Sequence, residues 1–284
     1  MSERRHFDEH VHALRDISGI LRAMKNLALM ETQKLSRVLA TQRRVVEGIE
    51  SAAQDFFGFY PDATHQLGKG RPVWLVIGSE RGFCGDYNER LLDGVEQRLR
   101  AQAQEHLPLV VIGQKLGEKL AHDHRVLATL RGPTVAEDVP STLIELMDRL
   151  RELQSSQKPE TRLEFTIAHH YPNAEGGPVQ VHEPIKRATG RPAGFAYPPL
   201  LHLDPLQFAR ELIDHHLFSL LHQVFYSSLM AEHLFRFQHM DQALQRLDKD
   251  IAQLTLRRNT LRQEEITEEI EVIMLSAELL TSQP

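Results

Sequence analysis

Two glycine-bearing turns are where this sequence could first hold chemistry: Gly78-Ser-Glu-Arg-Gly-Phe-Cys-Gly85 and Gly113-Gln-Lys-Leu-Gly-Glu-Lys119. Each follows a short apolar run, and a strand–glycine–helix turn can cradle phosphate on backbone N–H groups. Neither carries Gly-Lys followed by Ser or Thr, nor Gly-x-Gly-x-x-Gly, the spacings that nucleotide phosphates need. The better reading is that these glycines permit tight turns. Histidine is abundant, at 16, with His169-His170, His215-His216 and His122-x-His124 as candidate metal ligands. Adjacent helical residues point about 100° apart, so His215 and His216 do not share a face, and no His-Glu-x-x-His occurs. These histidines are expected to be solvated surface groups. Cys84 is the single cysteine, which excludes an intrachain disulfide and a thiolate metal cluster. A nucleophilic thiol needs a base and an orienting group, and the spacing supplies neither. Cys84 is expected to be a small buried or half-buried thiol. No catalytic, cofactor-binding or metal-ligating residue is assigned.

The elements that would position such groups follow from composition and helix breakers. The 284 residues are 41% hydrophobic, 25% charged and 6% aromatic, which fits a soluble globular chain of one large or two modest domains. A net charge of −6 argues against a generic nucleic-acid binder. No uncharged apolar run reaches the roughly 18 residues of a membrane span. The N-terminus reads as neither a secretory signal nor a transit peptide, so a membrane location would come through partners. Proline is absent from Met1 to Tyr60, and both proline and glycine are absent from Leu206 to Gln283. Three segments follow: an N-terminal helix over 1–60, a compact α/β domain over 61–203, and a long helix over 204–284. Asp204 is the expected N-cap of the last helix, with Pro205 at its first position. Unbroken to about Leu280, it would span about 115 Å at 1.5 Å per residue. That exceeds a small domain's width, so the helix is expected to project.

Apolar spacing indicates its packing partner. Met240, Leu244, Leu247, Ile251 and Leu254 step by heptad intervals; after a phase shift, Ile266, Ile270, Ile273, Ala277 and Leu280 repeat them. The N-terminal helix has a matching seam at Leu21, Met24 and Ala28, then Leu35, Val38, Gln42, Val45 and Ile49. The two can pair as an antiparallel intramolecular coiled coil; independent helices over a core, or a homodimeric coil, remain alternatives. In the middle, Val73–Ile77, Leu109–Ile112, Arg125–Leu130 and Leu163–His170 read as strands alternating with helices. This implies a mostly parallel, Rossmann-like sheet, with Tyr171–Pro199 as a loop or irregular edge. Arg257, Arg258 and Arg262 form a basic belt. Val272–Leu280 is apolar on most sides and almost uncharged, so a partner should enclose it.

Three stretches resemble the gamma subunit of F-type ATP synthases. Ile20-Leu-Arg-Ala-Met-Lys-Asn-Leu-Ala28 is similar to that family's Ile-Thr-Lys-Ala-Met-x-x-Val-Ala. Ser79-Glu-Arg-Gly-Phe-Cys-Gly-Asp-Tyr-Asn88 is similar to Ser-Asp-Arg-Gly-Leu-Cys-Gly-Gly-Phe-Asn. Leu254-Thr-Leu-Arg-Arg-Asn-Thr-Leu-Arg-Gln-Glu-Glu-Ile-Thr-Glu-Glu-Ile270 is similar to Leu-x-Leu-x-x-Asn-x-x-Arg-Gln-x-x-Ile-Thr-x-Glu-Leu. Glu232-His and Met240-x-x-Ala243 also fit. Departures are Leu21, Asp86, Ser276 and His202, the last where the family tends to have an acid near its foot. A divergent paralogue from an alternate bacterial F-type ATPase, proton- or sodium-coupled, is compatible with them.

The resemblance implies a non-catalytic rotor, without cofactor, that couples ion flow to catalysis on beta subunits. It implies alpha and beta subunits, epsilon and a ring of c subunits as partners. It places the chain peripherally at the cytoplasmic face of the bacterial inner membrane. By motif position, Arg22, Met24 and Lys25 would face a beta lever, and Arg262 and Gln263 a beta loop. Ile273, Met274, Leu275, Ala277, Leu279 and Leu280 would run in a hydrophobic bearing. The other readings are a nucleotide-binding α/β protein and a passive coiled-coil scaffold.

Overall fold

The fold is that of a computed structural model. It describes residues 2–65, 70–102, 106–155, 163–173, 177–184 and 197–281, with side chains from 6 to 274 except those of 64 and 65. Helix α1 runs Ser2–Phe59, with a one-turn α2 at Pro61–His65. There follow β1 (Arg71–Ile77), α3 (Tyr87–Ala101), β2 (Leu109–Ile112), α4 (Gln114–Lys119) and β3 (Val126–Leu130). Then come α5 (Val139–Ser155), β4 (Leu163–His170), β5 (Val179–His182) and α6 (Pro205–Thr281). The start of α6 is capped as its sequence requires: the Asp204 carboxylate accepts from Leu206 N at 3.0 Å. None of the helices is long and apolar enough to cross a membrane among the described residues.

Packing divides the chain into two compact units, 28–236 and 1–27 with 237–284. The larger holds a five-stranded sheet in the order β3-β2-β1-β4-β5, parallel except for the antiparallel edge strand β5. β5 lies in the stretch that sequence alone left as a loop or irregular edge. The central strands are apolar on both faces because both faces are covered. Trp74, Val76 and Val111 meet Leu91, Val95 and Leu99 of α3 and Leu116 of α4. On the opposite face Val73, Leu75, Ile77 and Ile167 meet Leu143 and Leu146 of α5, Leu35 of α1, and Leu221, Val224 and Phe225 of α6.

This second face takes up part of the long helix: its stretch from Leu220 to Arg236 is buried on nearly every side. Contact on more than one side explains why that stretch lacks a polar stripe. α1 and α6 also pair antiparallel within this unit: Gln42 Nε2 donates to Ser219 O at 3.1 Å, and His216 faces Glu50 at 3.4 Å. Phe56 packs on Phe208, with ring centroids 4.7 Å apart.

The smaller unit is an antiparallel pair of helical segments. Asp8 meets Arg258 (3.2 Å), Arg22 meets Asp248 (3.4 Å) and Lys25 meets Asp241 (2.5 Å). Partner numbers fall as α1 numbers rise, which defines the direction. The α6 seam at Met240, Leu244, Leu247, Ile251 and Leu254 faces inward as expected, and it continues without a phase shift through Arg258, Leu261 and Glu265. The apolar set that follows the shift lies off this seam: Ile266, Ile270 and Ile273 are exposed. On α1 the seam differs in two places. Val46 is buried and Val45 is exposed, and Leu39 is buried one residue beyond Val38.

Candidate functional site

The carboxyl ends of β1 and β4, where the strand order reverses, are where an open α/β sheet binds ligands. Here the chain itself occupies that crevice. The turn after β1 places the Glu80 carboxylate so that it accepts from Gln114 N (2.8 Å) and Gly132 N (2.7 Å). The donors that could hold a phosphate therefore hold a side chain. Gly113, between β2 and α4, has φ +108°, and a Cβ there would lie 2.7 Å from Gly78 O. This close backbone approach, rather than a ligand, requires the glycine.

The rest of the crevice is filled from α6. Tyr87 OH lies 2.8 Å from Ser228 Oγ, and Ser228 Oγ donates to Ile77 O at 3.3 Å. Tyr87, Cys84, Ala231 and Phe235 form one buried cluster. Burial raises the Cys84 thiol and the Tyr87 phenol above their usual ranges, so both are neutral. Cys84 is thus the inert packed thiol expected. Beside it, Glu232 and Arg236 form a buried ion pair. Glu232 Oε2 accepts from Glu80 N (3.3 Å), and Arg236 donates to Gly82 O (3.3 Å) and Arg81 O (3.5 Å). Desolvation pushes the Glu232 carboxyl up, against the pull of Arg236. Sequence marks Glu232 only through the Glu232-His family match and does not single out Arg236; the pairing itself shows only as the Glu-x-x-x-Arg spacing, which is common on exposed helices.

The histidine expectation is corrected. His122, His124 and His215 are exposed, but His169, His170 and His216 are buried. His169 stacks on His182 of β5, with Nε2 to Nε2 at 3.1 Å. His169 Nδ1–H donates to His170 O at 2.8 Å, so its Nε2 accepts from His182. That arrangement needs a neutral ring, and desolvation lowers His169 to about 3. His170 lies between the carbonyls of Tyr87 (2.8 Å) and Gly177 (2.9 Å). No group of three potential metal ligands occurs among the described residues.

The partner-contact candidates all lie in the smaller unit, in two places. Met24 and Lys25 are half-buried and Arg22 is exposed. Lys25 is bonded to Asp241, and its ammonium stands 5.2 Å from the Phe237 ring centroid. Both cations of this cluster therefore have partners on α6. Arg262 and Gln263 are exposed, about 21 Å along α6 from Asp248 at 1.5 Å per residue. The basic belt is partly used within the chain, since Arg258 bonds Asp8 and Arg257 stands over Phe7 at 5.8 Å. Of the apolar terminal set, Ile273 and Met274 are exposed, at 65% and 61%. The side chains of Leu275, Ala277, Leu279 and Leu280 lie outside the described residues.

A family model described as ATP synthase matches residues 4–280, and relatives that align over nearly the whole chain are ATP synthase gamma chains. The chain belongs to the ATP synthase gamma family. Gamma chains of Heliobacterium modesticaldum (23% identical, 97% of this chain and 98% of theirs) and Acidithiobacillus ferrooxidans (24%, 94% and 96%) are among those relatives. The fold is also that of the rotor in the Euglena gracilis mitochondrial ATP synthase structure. The TM-score is 0.61 at 13% identity, over 93% of this chain and 99% of that one. The central stalk of the Tetrahymena thermophila mitochondrial enzyme gives 0.56 at 14% identity, over 79% and 99%. As a gamma-family member the chain is a central-stalk, non-catalytic subunit, and the nucleotide-binding alternative is not favoured.

Proposed function

We propose that this gamma chain is the rotor between a catalytic hexamer of alpha and beta subunits and a membrane ring of c subunits, with epsilon at its α/β unit. It would act peripherally at the cytoplasmic face of a bacterial inner membrane, with segments 1–60 and 204–284 as shaft and 61–203 as foot. The observation that carries this reading is the antiparallel α1–α6 pair, bound by the Asp8–Arg258, Arg22–Asp248 and Lys25–Asp241 ion pairs. An asymmetric two-helix surface makes different contacts with each of three catalytic subunits. Turning it redistributes their nucleotide affinities, which is a coupling free energy between remote sites.

In this reading Met24 is the sliding contact, while Arg22 and Lys25 are held on α6 by Asp248 and Asp241. Arg262 and Gln263 are exposed and meet a beta loop. The terminal set Ile273, Met274, Leu275, Ala277, Leu279 and Leu280 runs in the apolar bearing, and the exposure of Ile273 and Met274 in the isolated chain supports that role. Reconstitution with cognate alpha and beta subunits tests the proposal: cooperative ATP hydrolysis should require the chain. Hydrolysis that is equally cooperative without it, or tight nucleotide binding by the chain alone, overturns it.

A further inference from the structure

The histidines with metal-binding spacing lie outside the buried set. In His6-Phe-Asp-Glu-His10 two imidazoles stand four residues apart on α1, so they share one face of the helix, one turn apart. Of the 16 histidines, no other two are separated by three or four positions. This is the spacing by which the helical His-Glu-x-x-His motif and its inverse, His-x-x-Glu-His, hold a metal on neighbouring rings. The ring centroids are 6.4 Å apart, and both side chains are exposed. Zinc binds an imidazole nitrogen at about 2.0–2.1 Å. Rotation of exposed side chains is fast, and it brings both rings onto one ion without moving the backbone.

The helix that sets this spacing is held between the two rings. Asp8 bonds Arg258 at 3.2 Å, and Arg257 stands over the Phe7 ring at 5.8 Å. Both tethers reach α1 from α6 and leave His6 and His10 exposed. They also engage the two cations of α6 nearest the pair. Glu9, three residues from His6, adds negative charge on the same side. Ligands whose scaffold is already ordered lose less freedom on binding.

We infer that His6 and His10 bind one divalent transition metal of the zinc class through neutral imidazole nitrogens. Its binding locks the first turns of α1 in the helical form that pairs with α6. No group of three His, Cys, Asp or Glu residues able to hold a metal occurs among the described residues, so water fills the remaining positions. The site belongs to the chain alone and does not rest on the rotor reading.

Zinc titration of the chelator-treated full chain, followed by calorimetry and thermal unfolding, tests it. His6→Gln and His10→Gln should each weaken zinc binding about tenfold or more, since loss of even an outer partner of a ligand costs that much. His10→Cys should restore binding, because a thiolate also ligates zinc. Nickel and copper should bind as zinc does, and magnesium and calcium, which take oxygen ligands, should not. At saturating zinc the unaltered chain should melt above His10→Gln, as expected of a ligand held by the folded state. Without metal the two should melt together, because both rings are exposed. Zinc affinity that is unchanged in both glutamine variants places the metal on other groups and overturns the site. An equal response to magnesium does the same, and equal melting of the two chains at saturating zinc overturns the lock.

Discussion

At the scale of single residues, the energetics concentrate where α6 meets the turn after β1. Glu232 and Arg236 are both buried, and each also bonds backbone of that turn. Removing one partner of such a pair leaves a charge in low dielectric with nothing to offset it. Glu232→Ala should therefore cost about 3–5 kcal/mol, read as a shifted urea midpoint with an unchanged slope. A loss below about 1 kcal/mol would mean that Arg236 reaches water once its partner is gone. The exposed pair Arg22–Asp248 is the contrast. Arg22→Ala should change stability by less than about 1 kcal/mol, because exposed ion pairs are screened and entropically costly.

Elements set the next level. The β4–β5 pairing encloses His169 against His182, and His233 of α6 is likewise buried; desolvation lowers His169 to about 3 and His233 to about 4. Both rings are neutral when folded, while unfolded imidazoles titrate near 6.5. As pH falls below about 6.5 the unfolded chain takes up protons first, so stability declines from there towards the folded values. Each such histidine should add a slope of about 1.4 kcal/mol per pH unit in that window. Denaturant unfolding at pH 7, 6 and 5 measures it, and His169→Asn should remove one proton's worth of the slope. Identical slopes would show that His169 is already protonated in the folded state.

The helices carry the larger packing terms. Leu35 of α1 is fully buried in the cluster that includes strands β1, β2 and β4 together with α5 and α6. Leu35→Ala should cost about 2–5 kcal/mol. A loss nearer 1 kcal/mol would indicate that the neighbouring helices close the cavity. Periodicity placed most seam positions correctly, yet took Val45 where Val46 is buried. A heptad with two adjacent valines leaves the inward one ambiguous until the partner surface is known. The same limit applies to the set from Ile266, whose spacing is that of a seam although Ile266, Ile270 and Ile273 are exposed.

At the scale of the whole molecule, the two compact units divide the work in the proposed rotor. Residues 28–236 hold the sheet and its filled crevice, and the smaller unit holds Met24 and Arg262. Met24→Lys would add a cation beside Lys25 at a close sliding contact. In the assembled enzyme it should lower ion pumping per ATP hydrolysed more than it lowers hydrolysis. Arg262→Ala should lower turnover of the complex several-fold while the isolated chain melts normally. Unchanged pumping and turnover in both variants would remove these residues from the coupling path.

Helix-breaker placement, the alternation of short apolar runs and the heptad steps specified both long helices, four of the five strands and the parallel sheet, because each is a local property of a few successive residues. The family motifs are equally local, so the type of machine was legible along the chain. Tertiary packing alone decided that Leu220–Arg236 lies buried in the larger unit, that Glu80 occupies the crevice donors, and that His169 and His170 sit inside. Each depends on which surfaces of different elements meet, from 7 residues apart for His170 and Gly177 to 155 for Arg236 and Arg81. Burial and charge pairing at such a distance leave no periodic trace in the residues themselves.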